Sequence, residues 1–218
     1  MAYDSQATRR RILQAASVEF AERGVAGARI DRIAETARAN KRAIYDYFGD
    51  KNALFAAVLE DQLADCAQEV AFAGDDLPDY AGRLMDYHAA HPQALRLLLW
   101  EALELGDATV PAERARVAKY AVRVEAIART GTYRADPRLL LLLTMGVVNW
   151  MSAVPQIRRM ILGDPPPEQV RGWVVDAVEA LTALGGGPGS STAESDLTHG
   201  YRTGEPVDDQ VHDPAGHR

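Results

Sequence analysis

The chain has 218 residues, 47% hydrophobic and 25% charged, a composition typical of a globular protein with one large or two modest domains. Cys66 is its one cysteine, which excludes a disulfide scaffold and indicates a reducing cytoplasm. The net charge of −7 is unevenly distributed, since residues 1–51 carry ten Lys/Arg against seven Asp/Glu and residues 52–218 carry fourteen against twenty-four. A basic amino-terminal segment on an acidic body indicates a nucleic-acid-binding module joined to a separate domain.

The first helix is predicted between Thr8, a capping residue, and Gly24, because the apolar residues between them recur at spacings of three and four. The same pattern continues along the chain without requiring a β-strand, and Asn40, Asp50 and Asp136 are predicted to cap later helices. We therefore predict an all-α fold of about nine helices, at residues 8–23, 30–37, 40–48, about 50–73, 78–90, 92–105, 111–130, 137–153 and 168–184.

The most apolar segment, residues 139–154, is broken by polar residues and ended by Pro155. Its roughly 16 residues are fewer than the roughly 20 that a membrane span requires, so we predict a buried helix and no membrane association. The amino terminus has no apolar signal-peptide core, which also favours the cytoplasm. From residue 186 onward glycine and polar residues dominate, and we expect residues 186–218 to form a flexible acidic tail.

The second and third predicted helices are joined by only three residues, which is the spacing of a helix-turn-helix motif over about residues 29–48. In the third helix Ile44 and Phe48 lie about 40° apart on the helical wheel, so both are predicted to face the core. Arg42, Tyr45 and Asp46 then point outward, as the side chains of a recognition helix must.

Specific residue patterns accompany the helix-turn-helix spacing. The pattern "IA…A" occurs at Ile33, Ala34 and Ala37, and the pattern "Y-x-[HY]-F-x-x-K-x-x-L" occurs at Tyr45, Tyr47, Phe48, Lys51 and Leu54. Over about residues 8–55 the sequence resembles the tetracycline-repressor (TetR) family of bacterial transcriptional regulators. It departs from the family at Arg38 and Arg42, where glycine is frequent, and at Asn40, where Ser or Thr is the usual cap.

The resemblance implies a helix-turn-helix DNA-binding domain at residues 1–50 and a helical ligand-binding and dimerisation domain at residues 51–185. It also implies a homodimer that binds double-stranded DNA at a palindromic operator and responds to a small-molecule effector, without cofactor or catalysis. Within the motif, Arg42 is our candidate for reading a guanine edge, and Tyr47 and Lys51 are candidates for phosphate contacts. The full predicted DNA-binding set is Arg29, Arg38, Asn40, Lys41, Arg42, Ala43, Tyr45, Tyr47 and Lys51.

Aromatic and sulfur-containing residues on later helices fit either core packing or an effector pocket. The candidate pocket residues are Met85, Tyr87, Trp100, Glu101, Glu104, Tyr120, Met145 and Trp150, and the two carboxylates would suit a cationic amphiphile. Broad apolar faces on the last two predicted helices fit either internal packing or, as the resemblance implies, a four-helix dimer interface. The candidate interface residues are Leu142, Val147, Val170, Trp173, Val174, Ala177, Val178 and Leu181.

Other classes of site have little support in the sequence. His88, His91 and Cys66 are too few and too scattered for a metal site, and no nucleophile or phosphate-loop motif occurs. We therefore predict that the protein is not an enzyme. The alternative hypothesis is a helical small-molecule-binding protein or enzyme that keeps the motif without binding DNA, which a flat or negative face around Arg42 would favour.

Overall fold

A computed structural model describes residues 2–184, and within this range the chain forms ten α-helices and no strand, which confirms the all-α prediction. The helices are α1 (Ala2–Gly27), α2 (Ile30–Ala37), α3 (Lys41–Phe48), α4 (Lys51–Glu69), α5 (Leu77–Ala90), α6 (Pro92–Leu105), α7 (Glu113–Thr130), α8 (Pro137–Ala153), α9 (Pro155–Leu162) and α10 (Pro167–Thr182). The acidic tail predicted at residues 186–218 lies outside the described residues.

The structure differs from the predicted helices at one boundary and by one added helix. The first helix starts at Ala2 instead of Thr8, whose hydroxyl accepts a hydrogen bond from Arg11 inside the helix. Helix α8 ends at Ala153, as predicted, and Pro155 also occupies the first position of an unpredicted helix, α9, where its missing N–H costs nothing. The α8–α9 pair bends by 85°, and no single described helix is long and apolar enough to cross a membrane.

The first hydrophobic core joins α1 to α4. Ile12, Phe20, Ile33 and Ile44 are almost fully buried there, and one residue of α6, Leu97, completes it. Phe20 and Phe55 meet edge to face, with ring centroids 5.3 Å apart. This core gives the predicted helix-turn-helix module an interior of its own, which α4 shares.

The second core lies among α5, α7, α8 and α10. Leu77, Leu140 and Val178 are fully buried there, and Phe72 packs edge to face on the buried Tyr80 at 4.8 Å between centroids. The carboxy-terminal helices therefore form a separately packed layer, as expected for a helical domain that follows the module.

Helix α6 connects the two parts at a break in α1. Gly24 adopts φ 66° and ψ 179°, so the amide that would bond the Ala21 carbonyl is displaced. Instead, Arg96 Nε donates to that carbonyl at 2.8 Å and Trp100 Nε1 donates to it at 3.3 Å. A Cβ on Gly24 would lie 2.9 Å from the Trp100 ring, so both the backbone angle and the contact require glycine.

Candidate nucleic-acid interface and ligand cavities

The third helix has the two-sided arrangement that the sequence predicts. Asn40 Oδ1 accepts from the Arg42 amide at 2.8 Å, which confirms the predicted N-cap. Ile44 is 1% exposed, whereas the Arg42 side chain is 84% exposed and Tyr45 is also exposed. The helix is thus anchored through its inner face, and a polar outer face is free to meet a partner.

Arg38 lies in the turn between α2 and α3, at a position where glycine is frequent in the family that the sequence resembles. Arg38 has φ 49° and ψ 46°, the left-handed conformation that a glycine would adopt without strain. Its amide donates to the Glu35 carbonyl at 3.1 Å and the Ala39 amide donates to the Ala34 carbonyl at 2.9 Å. Arginine therefore keeps the helix-turn-helix geometry, at a cost of about 1 kcal/mol, and adds a cation to the turn.

Glu19 of α1 fixes the start of α2. Its carboxylate accepts from the Arg29 amide at 2.9 Å and from Arg32 Nε at 2.8 Å. Burial alone would raise the pKa of Glu19, but these hydrogen bonds and the charges of Arg32 and Arg23 outweigh it and lower the pKa. Arg29 has no side-chain capping bond, and its exposed guanidinium lies at the amino end of α2.

The outer face of the motif is mixed in charge with an excess of cations. Residues 29–51 carry six Lys/Arg and four Asp/Glu. Lys41 pairs with Asp31 at 2.8 Å, which raises the pKa of Lys41, while Arg42 lies 3.9 Å from Asp46. Both pairs are exposed, and such pairs exchange readily for stronger anions. Most of the predicted set is exposed, and only Ala43 and Lys51 are half-buried; the exposed members are Arg29, Arg38, Asn40, Lys41, Arg42, Tyr45 and Tyr47.

Tyr47 and Lys51 make internal contacts besides facing solvent. The Tyr47 hydroxyl donates to Ser5 Oγ at 3.1 Å, which ties the unpredicted first turn of α1 to α3. Lys51 Nζ lies 3.4 Å from the carbonyl oxygens of Ala26 and Ala28, where it neutralises the end of α1. Their phosphate contacts stay predictions, and the structure adds a role for each in holding the module together.

A small central cavity of about 80 Å³ lies between α4, α5, α7 and α8. His88 Nε2 and Asn149 Oδ1 are 3.1 Å apart at its wall, and burial lowers the pKa of His88, partly opposed by that hydrogen bond. The lining residues are Leu63, Cys66, Ala67, Tyr80, Leu84, His88, Leu98, Arg116, Lys119, Tyr120, Arg123, Met145 and Asn149.

Only two of the predicted pocket residues, Tyr120 and Met145, line the central cavity. Met85 and Tyr87 belong to the adjoining second core, and Trp100 packs on Gly24 instead of facing a ligand.

The other three predicted pocket residues lie elsewhere. Trp150 is exposed beside α9, whereas Glu101 and Glu104 line a separate junction groove between α6 and the start of α4. Sequence reasoning missed Arg116, Lys119 and Arg123, although their spacing of three and four residues around Tyr120 places all of them on one face of α7.

The amino-terminal half of α7 is attached by charge, whereas Ile127 nearer its end packs in the second core. Arg116 donates to Glu60 of α4 at 2.8 Å and to Glu101 of α6 at 2.6 Å, and Lys119 reaches Glu60 at 3.3 Å. Burial alone would raise the pKa of Glu60, but hydrogen bonds from Arg116 and Lys119 outweigh it and lower the pKa. Only Arg116 and Ile127 of α7 are buried, so this ionic network fixes the amino-terminal half of the helix.

The predicted interface residues separate into two groups. Val170, Val174 and Val178 of α10 are buried in this chain's own second core or beside it, so predicting them as an open interface was wrong. Val147 and Leu181 are half-buried, while Leu142, Trp173 and Ala177 are exposed. Helix α9 also carries exposed apolar side chains, including Ile157, Met160 and Ile161.

The predicted absence of a metal site rested on three scattered residues. In the structure His88 bonds Asn149, and His91 Nε2 lies 3.3 Å from Glu69 Oε2. Among residues 2–184 no three His, Cys, Asp or Glu side chains come together with the geometry of a metal site.

Two family descriptions match the two parts of the chain. Residues 12–58 match "Bacterial regulatory proteins, tetR family", and residues 76–180 match "Tetracyclin repressor-like, C-terminal domain". The first match contains α2 and α3, and the second contains the central cavity's α5, α7 and α8 together with α10.

Individual relatives agree with these matches. The HTH-type transcriptional repressor SCO4008 of Streptomyces coelicolor is 48% identical over 169 residues, covering 74% of this chain and 87% of that protein. The crystal structure of the transcriptional regulator SCO4942 of Streptomyces coelicolor is 35% identical, covers 80% of this chain and 97% of that one, and has a TM-score of 0.69. AibR, solved with isovaleryl coenzyme A and operator DNA, shares the fold with a TM-score of 0.56 at 19% identity, covering 78% and 97%.

Proposed function

The chain belongs to the TetR family of bacterial DNA-binding transcriptional regulators, and from that premise we propose that it acts as a homodimeric repressor. It binds a palindromic operator in the cytoplasm, and a small-molecule effector that enters the helical domain changes its affinity for that operator. The observation that carries the proposal is the two-sided recognition helix, with Ile44 buried beneath and Arg42 exposed above.

The charge of the motif's outer face supports DNA binding over the alternative of a helical ligand-binding protein. Residues 29–51 carry six Lys/Arg against four Asp/Glu, and both exposed ion pairs can open toward phosphate. Arg29 and Arg38 lie at the two ends of α2, at positions suited to contacts with the phosphate backbone of DNA. Affinity in this arrangement comes mostly from phosphates, and base contacts from α3 supply the sequence preference.

The exposed apolar face of α8 to α10 supports a dimer. Leu142 is 68% exposed and Trp173 is 40% exposed, although both are large apolar residues on helices whose other faces are packed. Patches of this kind mark interaction sites in proteins that would otherwise aggregate. A two-fold dimer through this face would carry two copies of α3, which would read two half-sites about 34–36 Å apart. Because the dimer is symmetric, the operator would be palindromic.

An effector response requires only that a small molecule prefer one of two conformations. The amino-terminal half of α7 lines the cavity and is attached by ion pairs, which gives the helical domain a wall that can shift at that end. AibR, which shares the fold, was solved with both an acyl-coenzyme A and operator DNA, which supports an effector response in this chain.

The proposal is tested by selecting bound DNA from a random pool and measuring binding at two salt concentrations. We expect a palindromic consensus, two chains per duplex, and affinity that falls steeply with salt through Lys/Arg–phosphate contacts. Recovery of no consensus, or of a complex indifferent to salt, would contradict the proposal.

A further inference from the structure

The junction groove lies between the end of α1, the first turns of α4 and the carboxy-terminal half of α6. Its volume is about 410 Å³, within the range of small-molecule sites, whereas the central cavity measures about 80 Å³. We propose that this groove binds a lipophilic organic cation and that its occupation loosens operator binding. The effect on operator binding rests on the proposed function, whereas cation binding in the groove does not.

The groove combines apolar walls with negative charge. Val25, Phe55 and Leu105 supply aliphatic and aromatic surface, and Glu101 and Glu104 supply two carboxylates. All of its lining residues belong to the described range, and none of them is Lys or Arg. An aromatic side chain and two carboxylates, only one of which is paired with an arginine outside the groove lining, favour a positively charged, partly apolar ligand.

Glu101 provides a separate indication that a ligand atom belongs there. Its side chain is only 6% exposed, and one oxygen accepts from Arg116 at 2.6 Å. Its other oxygen, Oε1, is buried and has no hydrogen-bond partner among the described residues. A buried carboxylate oxygen without a partner is costly, and a cation or N–H donor in the groove would satisfy it.

Glu104 supplies the second charge at the outer part of the groove. It is exposed, one turn after Glu101 on α6, and makes no ion pair with any residue that the structure describes. A ligand cation placed between the two carboxylates would gain attraction from both. The Arg116 guanidinium lies behind Glu101, so the ligand cation and Arg116 would compete for the same carboxylate.

That competition connects the groove to DNA binding. Arg116 also holds Glu60, so weakening its bond to Glu101 loosens the attachment of α7 to both α6 and α4. Asn52 and Phe55, on the other wall, lie in the first turns of α4, directly after the recognition helix. A ligand that separates α4 from α6 therefore displaces the element on which α3 is mounted.

The test uses tetraphenylphosphonium as the cation and tetraphenylborate as an anion of the same shape. Titration calorimetry on the full chain is expected to give one phosphonium site per chain and at least about tenfold weaker borate binding, because only the sign of the charge differs. Glu104→Gln should weaken phosphonium binding by about three- to tenfold. Equal binding of the two ions would overturn the inference.

Two matched variants locate the site. Glu179→Gln makes the same chemical change on the exposed surface of α10, and Ala67→Trp fills the mouth of the central cavity, so neither should change phosphonium affinity. Loss of binding in Ala67→Trp with none in Glu104→Gln would place the cation in the central cavity and overturn the assignment.

Operator binding is measured with and without phosphonium on the DNA selected above. If the chain binds operator but not phosphonium, the proposed function stands and only the assignment of the groove as a cation site is overturned. A chain that binds phosphonium without any change in operator affinity overturns the coupling to DNA. A chain that binds no operator contradicts the proposed function, whatever the calorimetry shows.

Discussion

The amino-terminal module and the carboxy-terminal helices treat their large apolar side chains differently. In α1 to α3 the aliphatic residues Ile12, Ile33 and Ile44 are buried, and the exposed surface is mainly polar. In α8 to α10, Leu142 is 68% exposed, Trp150 is 59% exposed and Ile161 is 75% exposed. The module thus buries its large aliphatic side chains within one chain, whereas the exposed apolar side chains of α8 to α10 would be buried only against a second surface.

The largest effect, on dimerisation and operator affinity, is expected at the exposed apolar residues that a second chain would cover. Leu142→Asp places a charge in the exposed α8 face without touching the core, and we expect a monomer whose operator affinity falls by at least about 100-fold. Light scattering and a gel shift measure the two quantities. Val122→Asp is the control, since Val122 is equally apolar and 62% exposed but lies on α7. An unchanged dimer in the Leu142 variant would move the interface elsewhere.

A second test concerns the ionic network that holds the amino-terminal half of α7. Arg116→Met leaves the Glu101 carboxylate buried without its partner, and we expect a loss of about 3–5 kcal/mol in the free energy of unfolding. Urea denaturation measures this loss. The double variant Glu101→Gln/Arg116→Met removes the orphaned charge and should recover most of the stability. If both variants are equally unstable, the arginine acts through its packing and not through its charge.

The joint between the two regions is tested at the break in α1. Gly24→Ala forces a Cβ into a left-handed backbone and against the Trp100 ring, so we expect a loss of about 2 kcal/mol in the free energy of unfolding. Gly27→Ala, three residues on, meets only the Arg23 Cβ at 3.3 Å and should have little effect. Wild-type thermal stability in the Gly24 variant would show that α1 does not need the break.

The smallest effect on folding, with a clear effect on binding, is expected at the module's exposed face. Arg42→Ala should leave the melting temperature unchanged and weaken specific operator binding by about 10- to 100-fold, with relaxed preference at one base pair. Arg38→Gly is the comparison, since it removes a cation from the turn but keeps its conformation and should weaken all sequences alike. Unaltered sequence preference in the Arg42 variant would assign base reading to another residue.

Local features of the fold were predictable because they depend on neighbours in sequence. Asn40, Asp50 and Asp136 each accept a backbone N–H two or three residues ahead, as predicted. Helix α9 was missed because Pro155 fits the end of one helix and the start of the next equally well.

The site was less predictable, because apolar periodicity shows that a face is covered without showing what covers it. Trp100 has the pattern of a pocket residue, yet it contacts a glycine 76 positions earlier in the chain. Val174 and Trp173 are adjacent in sequence, and only the packed structure shows that the first faces inward and the second outward. The distribution of charge between the central cavity and the junction groove likewise depends on how α6 and α7 meet.

The Trp100–Gly24 contact limits how parts of this protein can be exchanged with those of its relatives. A hybrid regulator that takes residues 1–50 from this chain and its helical domain from another would lose both donors to the Ala21 carbonyl. It would also place a foreign side chain over a glycine whose conformation suits the indole ring. A workable exchange would have to transfer the α6 segment from Arg96 to Trp100 together with the module, although residues 51–95 separate the two in sequence.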